Sequence, residues 1–187
     1  SYSKFDNNGS DIKKMLQSNV FFPSELLELG VRAGVKGFVN TGTFFEYDCS
    51  ILPVNEQASI KPFNFYAKTK LTFEAILSTY TNKINVVTFR LFSPYGEKDN
   101  NKVIPMVVKG ALANERVELS DGMQKLDFVY VGDIVDAYMQ ALIKINDSSE
   151  GYNVYNIGSG KGLSVREIVS IVEQKLCKTI NKVWGEP

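Results

Sequence analysis

The chain has 187 residues, 44% of them hydrophobic, with 21 Lys plus Arg against 21 Asp plus Glu and no histidine. This length suffices for the core of one domain, or of one domain and a small lobe. Balanced charge without a basic stripe or acidic run argues against nucleic-acid or membrane-surface binding and suits a small-molecule enzyme or a protein-binding module, while the lack of histidine excludes Ser-His-Asp, Cys-His and His-metal chemistry and leaves proton transfer to Tyr, Lys or carboxylates.

The first ten residues are polar, without the hydrophobic region of a signal peptide. No apolar run approaches the ~18 residues of a membrane span, so a cytoplasmic location is expected. From Asp11 to about Ala33, Ile12, Met15, Leu16, Val20, Leu26, Leu27 and Val31 recur at helical spacing, with Ser10 or Asp11 as cap. Pro23 predicts a kink or break in that helix. Gly34 closes it, and 35–40 reads as a short buried strand, with Thr41, Gly42 and Thr43 at its C-terminal end. In open α/β sheets ligands bind at such ends, so the Thr41 hydroxyl is placed to touch a substrate; it equally fits a threonine that finishes a strand and bonds nearby backbone.

A polar loop over 46–61, containing Cys49, leads to a helix over about 62–83 with Pro62 suited to its first turn. Tyr66 and Lys70 lie four apart on it and share a face. An ammonium near a phenol favours the phenolate, so the pair is able to exchange a proton with a substrate hydroxyl; the spacing also fits a half-buried Tyr beside a solvated Lys. The run Ile84–Leu91 predicts a buried parallel strand, followed by a turn at 92–96. Helix is expected at 104–113, strand at 116–119, turn at Asp121-Gly122, strand at 127–131, a helix capped by Asp133 to about Ile145, and strand at 152–157 closed by Gly158-Ser159-Gly160. Ser164 with Glu167 forms a capping box opening a last helix through Leu176. Cys177 follows it; the two cysteines lack metal-ligand spacing, read as reduced thiols, and no metal site is expected. This alternation predicts an α/β domain with a mainly parallel sheet.

Several segments, in order, resemble the extended short-chain dehydrogenase/reductases, in particular the nucleotide-sugar epimerase and dehydratase group. They are Asn19-Val20 with 26–28, Gly34–Val39, the Tyr66/Lys70 helix, Phe89–Gly96, Gln124–Asp133 and Tyr152–Gly160. The resemblance implies a Rossmann-like sheet with helices on both faces plus a small substrate-binding lobe: 1–100 and about 126–160 in the core, about 101–125 and 161–187 in the lobe. It implies Thr41, Tyr66 and Lys70 as catalytic residues, and Asn19, Tyr66, Lys70, Phe92 and Pro94 as binding NAD or NADP. Thr43, Ser93, Lys102, Val103, Pro105 and Lys125 would meet the nucleotide-diphosphate sugar. Helices 11–33 and 62–83 would form a homodimer surface.

Departures from the family pattern refine this. Dehydratases of the group carry Asp-Glu where Gly42 and Thr43 stand, which favours an epimerase or 4-ketoreductase over a 4,6-dehydratase. Ser93 replaces a common Asn. Leu126 replaces a diphosphate-gripping Arg, with Lys125 beside it as a point charge rather than a bidentate fork. The Gly158–Gly162 loop comes too late to cradle a dinucleotide pyrophosphate. No Gly-rich turn opens the chain, so the expectation is a fragment truncated in its N-terminal half, with an open strand edge at 37–41. From another class, a catalytically inactive binding module fits as well.

Overall fold

The computed structural model describes residues 3, 9–99, 102–145 and 151–185. In chain order its elements are α1 (Gly9–Leu16), α2 (Phe22–Arg32), β1 (Gly37–Thr43), α3 (Phe65–Ser78), β2 (Asn85–Leu91), β3 (Ser93–Tyr95) and α4 (Val103–Ala113). There follow β4 (Val117–Leu119), β5 (Lys125–Tyr130), α5 (Val131–Lys144), β6 (Tyr152–Ile157), β7 (Gly162–Ser164), α6 (Val165–Leu176) and β8 (Lys182–Trp184). Two units divide the chain, one within 1–91 and 136–157, the other within 92–135 and 158–187. The second therefore holds the expected lobe together with 92–100, 126–135 and 158–160, which the sequence assigns to the core.

In the first unit, β1, β2 and β6 form a parallel sheet in the order β1-β2-β6, in register from Gly37 opposite Asn85 and from Val86 opposite Tyr152. Successive strand residues face opposite sides. Phe38 meets Phe73 of α3 edge-on at 5.9 Å, while Phe89 meets Tyr138 of α5 at 4.9 Å, so helices cover both faces. On the α3 side Leu27, Phe73, Leu77, Ile84 and Val86 make the apolar core, each fully buried side chain contributing about 1.5–3 kcal/mol. Among the described residues no helix is long and apolar enough to cross a membrane.

The expected helix over 11–33 is broken where Pro23 requires it. Pro23 has no N–H for the carbonyl of Asn19, and the chain widens into one π-helical turn, Gln17–Phe21, before α2 begins. The Ser24 hydroxyl donates to the Val20 carbonyl at 2.6 Å.

Several boundaries differ from expectation, and three show why. Strand β1 continues past Thr41 to Thr43 because its pairing with β2 runs through Gly42–Arg90 and Thr43–Leu91. Helix α3 starts at Phe65 and not in the turn after Pro62, since the Asn64 side chain accepts the Ala67 N–H at 2.9 Å and caps it. Asp133 lies inside the first turn of α5 rather than capping it.

In the second unit, β3 pairs parallel with β5, β5 antiparallel with β7, and β4 parallel with β8. Its core is apolar, with Val107 and Ala111 of α4 packed among Val117, Leu119, Val165, Val169, Val172 and Ile180. Helix α6 carries the expected capping box: the Ser164 N–H donates to Glu167 at 2.7 Å, and the Glu167 N–H donates to the Ser164 hydroxyl at 3.2 Å.

Candidate active site

The Asn64 cap fixes where α3 begins, and with it the face on which Tyr66, Lys70 and Glu74 follow one another a turn apart. Tyr66 is half-buried, Lys70 is 7% exposed and Glu74 4%. A neighbouring helix pins the turn between them. Buried Asn19, on the π-helical turn, donates its amide to Thr69 Oγ1 at 3.1 Å, and that hydroxyl donates to the Tyr66 carbonyl at 2.7 Å. Asn19, which the sequence places at the cofactor, here orients the helix that carries Tyr66 and Lys70.

Beneath this face lies a buried ionic cluster that sequence reasoning missed. Arg90 of β2, 6% exposed, donates Nε to Glu74 Oε1 at 3.2 Å and Nη2 to Glu74 Oε2 at 2.6 Å. Glu46, 0% exposed, places Oε2 2.9 Å from Arg90 Nε without accepting its N–H, and its Oε1 accepts the Thr43 N–H at 2.9 Å. The Tyr47 ring covers the guanidinium at 4.6 Å. Tyr47 donates to Asn156 at 2.8 Å, and Tyr152 reaches Glu74 at 3.4 Å. Gly42 makes the room, because a Cβ there would stand 2.8 Å from Glu74 Oε1 and 3.1 Å from Glu46 Oε1.

The charges follow from burial. Desolvation, reinforced by the adjacent Glu74 carboxyl, pushes the Glu46 carboxyl up to about 9. Desolvation pulls Lys70 below the usual lysine value, against the attraction of Glu46 and Glu74. Burial also opposes the charge on Arg90, but the bonds and charge of Glu74 outweigh it and raise its pKa. Two sequence signals pointed to this cluster: an arginine inside a β-branched buried strand needs a carboxylate partner, and Glu74 is one helical turn beyond Lys70.

The other face of the sheet is different. The Thr41 and Tyr138 hydroxyls lie 2.5 Å apart beneath α5, and the Tyr138 ring packs on Phe89, itself 6.2 Å from Tyr155. Thr41 therefore turns toward α5, and Thr43, two residues on, has the same parity but lies at the C-terminal end of the strand. The hydroxyl at the end of β1 is that of Thr43, which accepts the Phe45 N–H at 3.4 Å and keeps its own proton to donate.

In the second unit, Tyr95, Tyr130, Pro105 and Arg116 help line a cleft of about 1090 Å³. Pro94 and Lys102 border a smaller one of about 550 Å³, where the Lys102 ammonium donates to the Pro94 carbonyl at 2.9 Å and lies 3.3 Å from Asp99. Phe92 precedes Ser93, the first residue of β3, and Val103 opens α4. Leu126 and Lys125 occupy successive strand positions, so Lys125 projects on the opposite face and does not take the place of an arginine at 126. The Gly158–Gly160 loop is filled by Asp127, which accepts the Ser159 and Gly160 N–H groups at 2.6 and 2.9 Å. Those donors are spent on a carboxylate, in keeping with a loop that cradles no phosphate.

A family model, the NAD dependent epimerase/dehydratase family, matches residues 2–158. CDP-abequose synthase of Salmonella muenchen is 28% identical over 183 residues, covering 91% of this chain and 56% of that protein. A putative UDP-glucose 4-epimerase of Methanocaldococcus jannaschii is 31% identical over 157 residues, covering 80% of this chain and 50% of its own length. The solved structure of MoeE5 in complex with UDP-glucose and NAD superposes with a TM-score of 0.82 at 28% identity, covering 91% of this chain and 58% of that one. The chain thus spans about half the length of the relatives it matches. The expectation of a fragment lacking the family's N-terminal motif is corrected by the family match, which starts at residue 2, so the opening residues are themselves family sequence.

Proposed function

The chain belongs to the NAD dependent epimerase/dehydratase family, and we propose that it serves a nucleotide-sugar epimerase or 4-ketoreductase in which Tyr66 and Lys70 carry the proton transfer. The observation that supports this most is the Lys70 ammonium, 7% exposed and without a hydrogen-bond or ion-pair partner among the described residues. A buried cation in that state fits a ligand that brings hydroxyl oxygens, such as the nicotinamide ribose of NAD or NADP. When bound, the nicotinamide supplies the hydride acceptor and donor.

The chain's own residues would do the rest. Lys70 stabilises the Tyr66 phenolate and holds the ribose; Tyr66 Oη takes the proton of the reacting sugar hydroxyl and returns it in the reverse direction. We assign the hydroxyl that polarises the reacting oxygen to Thr43, at the end of β1, in place of Thr41, whose own hydroxyl is engaged by Tyr138. Lys102, Val103 and Pro105 would meet the nucleotide. With Thr43 in that role the residues that follow it are Phe44 and Phe45, not the Asp-Glu pair that a dehydratase of the group carries after its active-site Thr, so a dehydratase stays disfavoured. The exposed Phe21, Phe22, Leu26 and Leu29 beside α3 support homodimer formation through helices within 11–33 and 62–83, a proposal that sedimentation velocity of Phe22→Glu tests by loss of the dimer.

Turnover of UDP- and CDP-sugars with NAD(H) or NADP(H) tests the enzyme reading. Tyr66→Phe is expected to lower turnover by about 10²–10⁴-fold with sugar-nucleotide binding retained. Unchanged turnover removes Tyr66 from the mechanism. A chain that binds sugar nucleotide but neither dinucleotide favours the binding-module reading.

A further inference from the structure

Four ionisable groups share one buried space on the α3 face, and the Tyr66–Lys70 pair accounts for only one of them. Their geometry is uneven. Glu74 gives both oxygens to Arg90, so the guanidinium neutralises it at the Coulomb distance of a close pair. Glu46 gives one oxygen to the Thr43 N–H, and its other, fully enclosed, accepts no hydrogen bond. An oxygen in that state is suited to carry a proton beside the Glu74 carboxyl, since both carboxyls lie on the Arg90 guanidinium and both crowd the space left by Gly42. Lys70, one turn before Glu74, meets the electrostatic field of both acids.

We propose that Glu46 is a positioning residue which, with Glu74 and Arg90, sets the charge carried by Lys70. This rests on the reading of Lys70 as the partner of Tyr66. The two carboxyls hold one proton between them around a permanently charged guanidinium. While it is held, the cluster Glu46, Glu74 and Arg90 has no net charge. When the Glu46 O–H ionises and its proton leaves to water, a negative charge appears beside the ammonium and retains its proton. Lys70 thus stays cationic, able to support a phenolate, to higher pH than its burial alone allows. The groups that face Glu46 are Glu74 and Lys70 from α3, Arg90 from β2, Tyr47 next in the chain, and Tyr152 of β6 through Glu74. Desolvation raises both tyrosines, Tyr152 to about 12, so neither supplies a competing charge.

The test is an NMR titration of the full chain labelled with ¹³C at lysine Cε and glutamate Cδ, from about pH 5 to pH 11, with Lys70→Met and Glu46→Gln assigning the two signals. Gln still accepts the Thr43 N–H through its amide oxygen but has no proton to lose. One carboxyl signal is expected to titrate well above the other glutamates and to vanish in Glu46→Gln. In that variant Lys70 is expected to lose its proton about one pH unit lower than in the wild type. A Lys70 titration unmoved by Glu46→Gln overturns the proposal, as does a Glu46 carboxyl in the ordinary range, which the wild type reports even if the variant fails to fold. Neither readout involves turnover, so this result and that of Tyr66→Phe stand or fall separately.

Discussion

The two faces of the β1-β2-β6 sheet solve the burial of polar groups in different ways. Beneath α5 two neutral hydroxyls, Thr41 and Tyr138, satisfy one another among aromatic rings. Beneath α3 the same strands bury Arg90, Glu74, Glu46 and Lys70, although burying charge is costly and an apolar layer of similar volume would be at least as stable. A fold that retains four ionisable groups where none is needed for packing is spending stability on charge state. The face that does so is the one that carries Tyr66.

Breaking the ionic face should have the largest effect. Arg90→Met leaves two carboxyls without their cation and is expected to cost about 3–5 kcal/mol in chemical denaturation. A loss below about 1 kcal/mol would mean that the cluster is solvated and the contrast between the faces false.

The next effect is one of slope. Glu46 moves from its ordinary 4.5 to about 9 on folding. Between those values the native chain holds a proton that the unfolded chain has lost, so the contribution to stability is full below 4.5 and declines as pH rises to 9, by up to about 1.4 kcal/mol per pH unit. Stability of the wild type relative to Glu46→Gln should therefore fall across this window, and a flat difference would contradict the assignment. Smallest is the neutral face: Tyr138→Phe should cost about 1 kcal/mol, should not add to the cost of Thr41→Val because one bond is lost in both, and should leave turnover unchanged.

Legibility in the sequence followed the range of the interactions. The strands at 85–91 and 152–157 and the Ser164 capping box are written in local patterns, β-branched runs and a fixed spacing, and the fold reproduces them within a residue. Boundaries set by pairing or by a rival cap were misplaced. The local pattern ends the strand at 40, yet pairing with β2 carries β1 on through Thr43, and Asn64 rather than Pro62 starts α3. The short strands β7 and β8 exist only through partners distant in the chain. For the site, Tyr66 and Lys70 were visible as an i, i+4 pair, whereas Glu46 sits in a loop segment and acquires meaning only when Arg90, 44 positions later by residue number, is brought beside it.

The central claim, that the charged α3 face is where this chain meets its cofactor, is tested most directly by calorimetric titration of NADH and NADPH into the full chain. The account predicts binding that Lys70→Met weakens at least about tenfold, a loss of about 1.4 kcal/mol, and that Tyr138→Phe leaves unchanged. Equal affinity in wild type and Lys70→Met, or a loss caused by Tyr138→Phe instead, would contradict it.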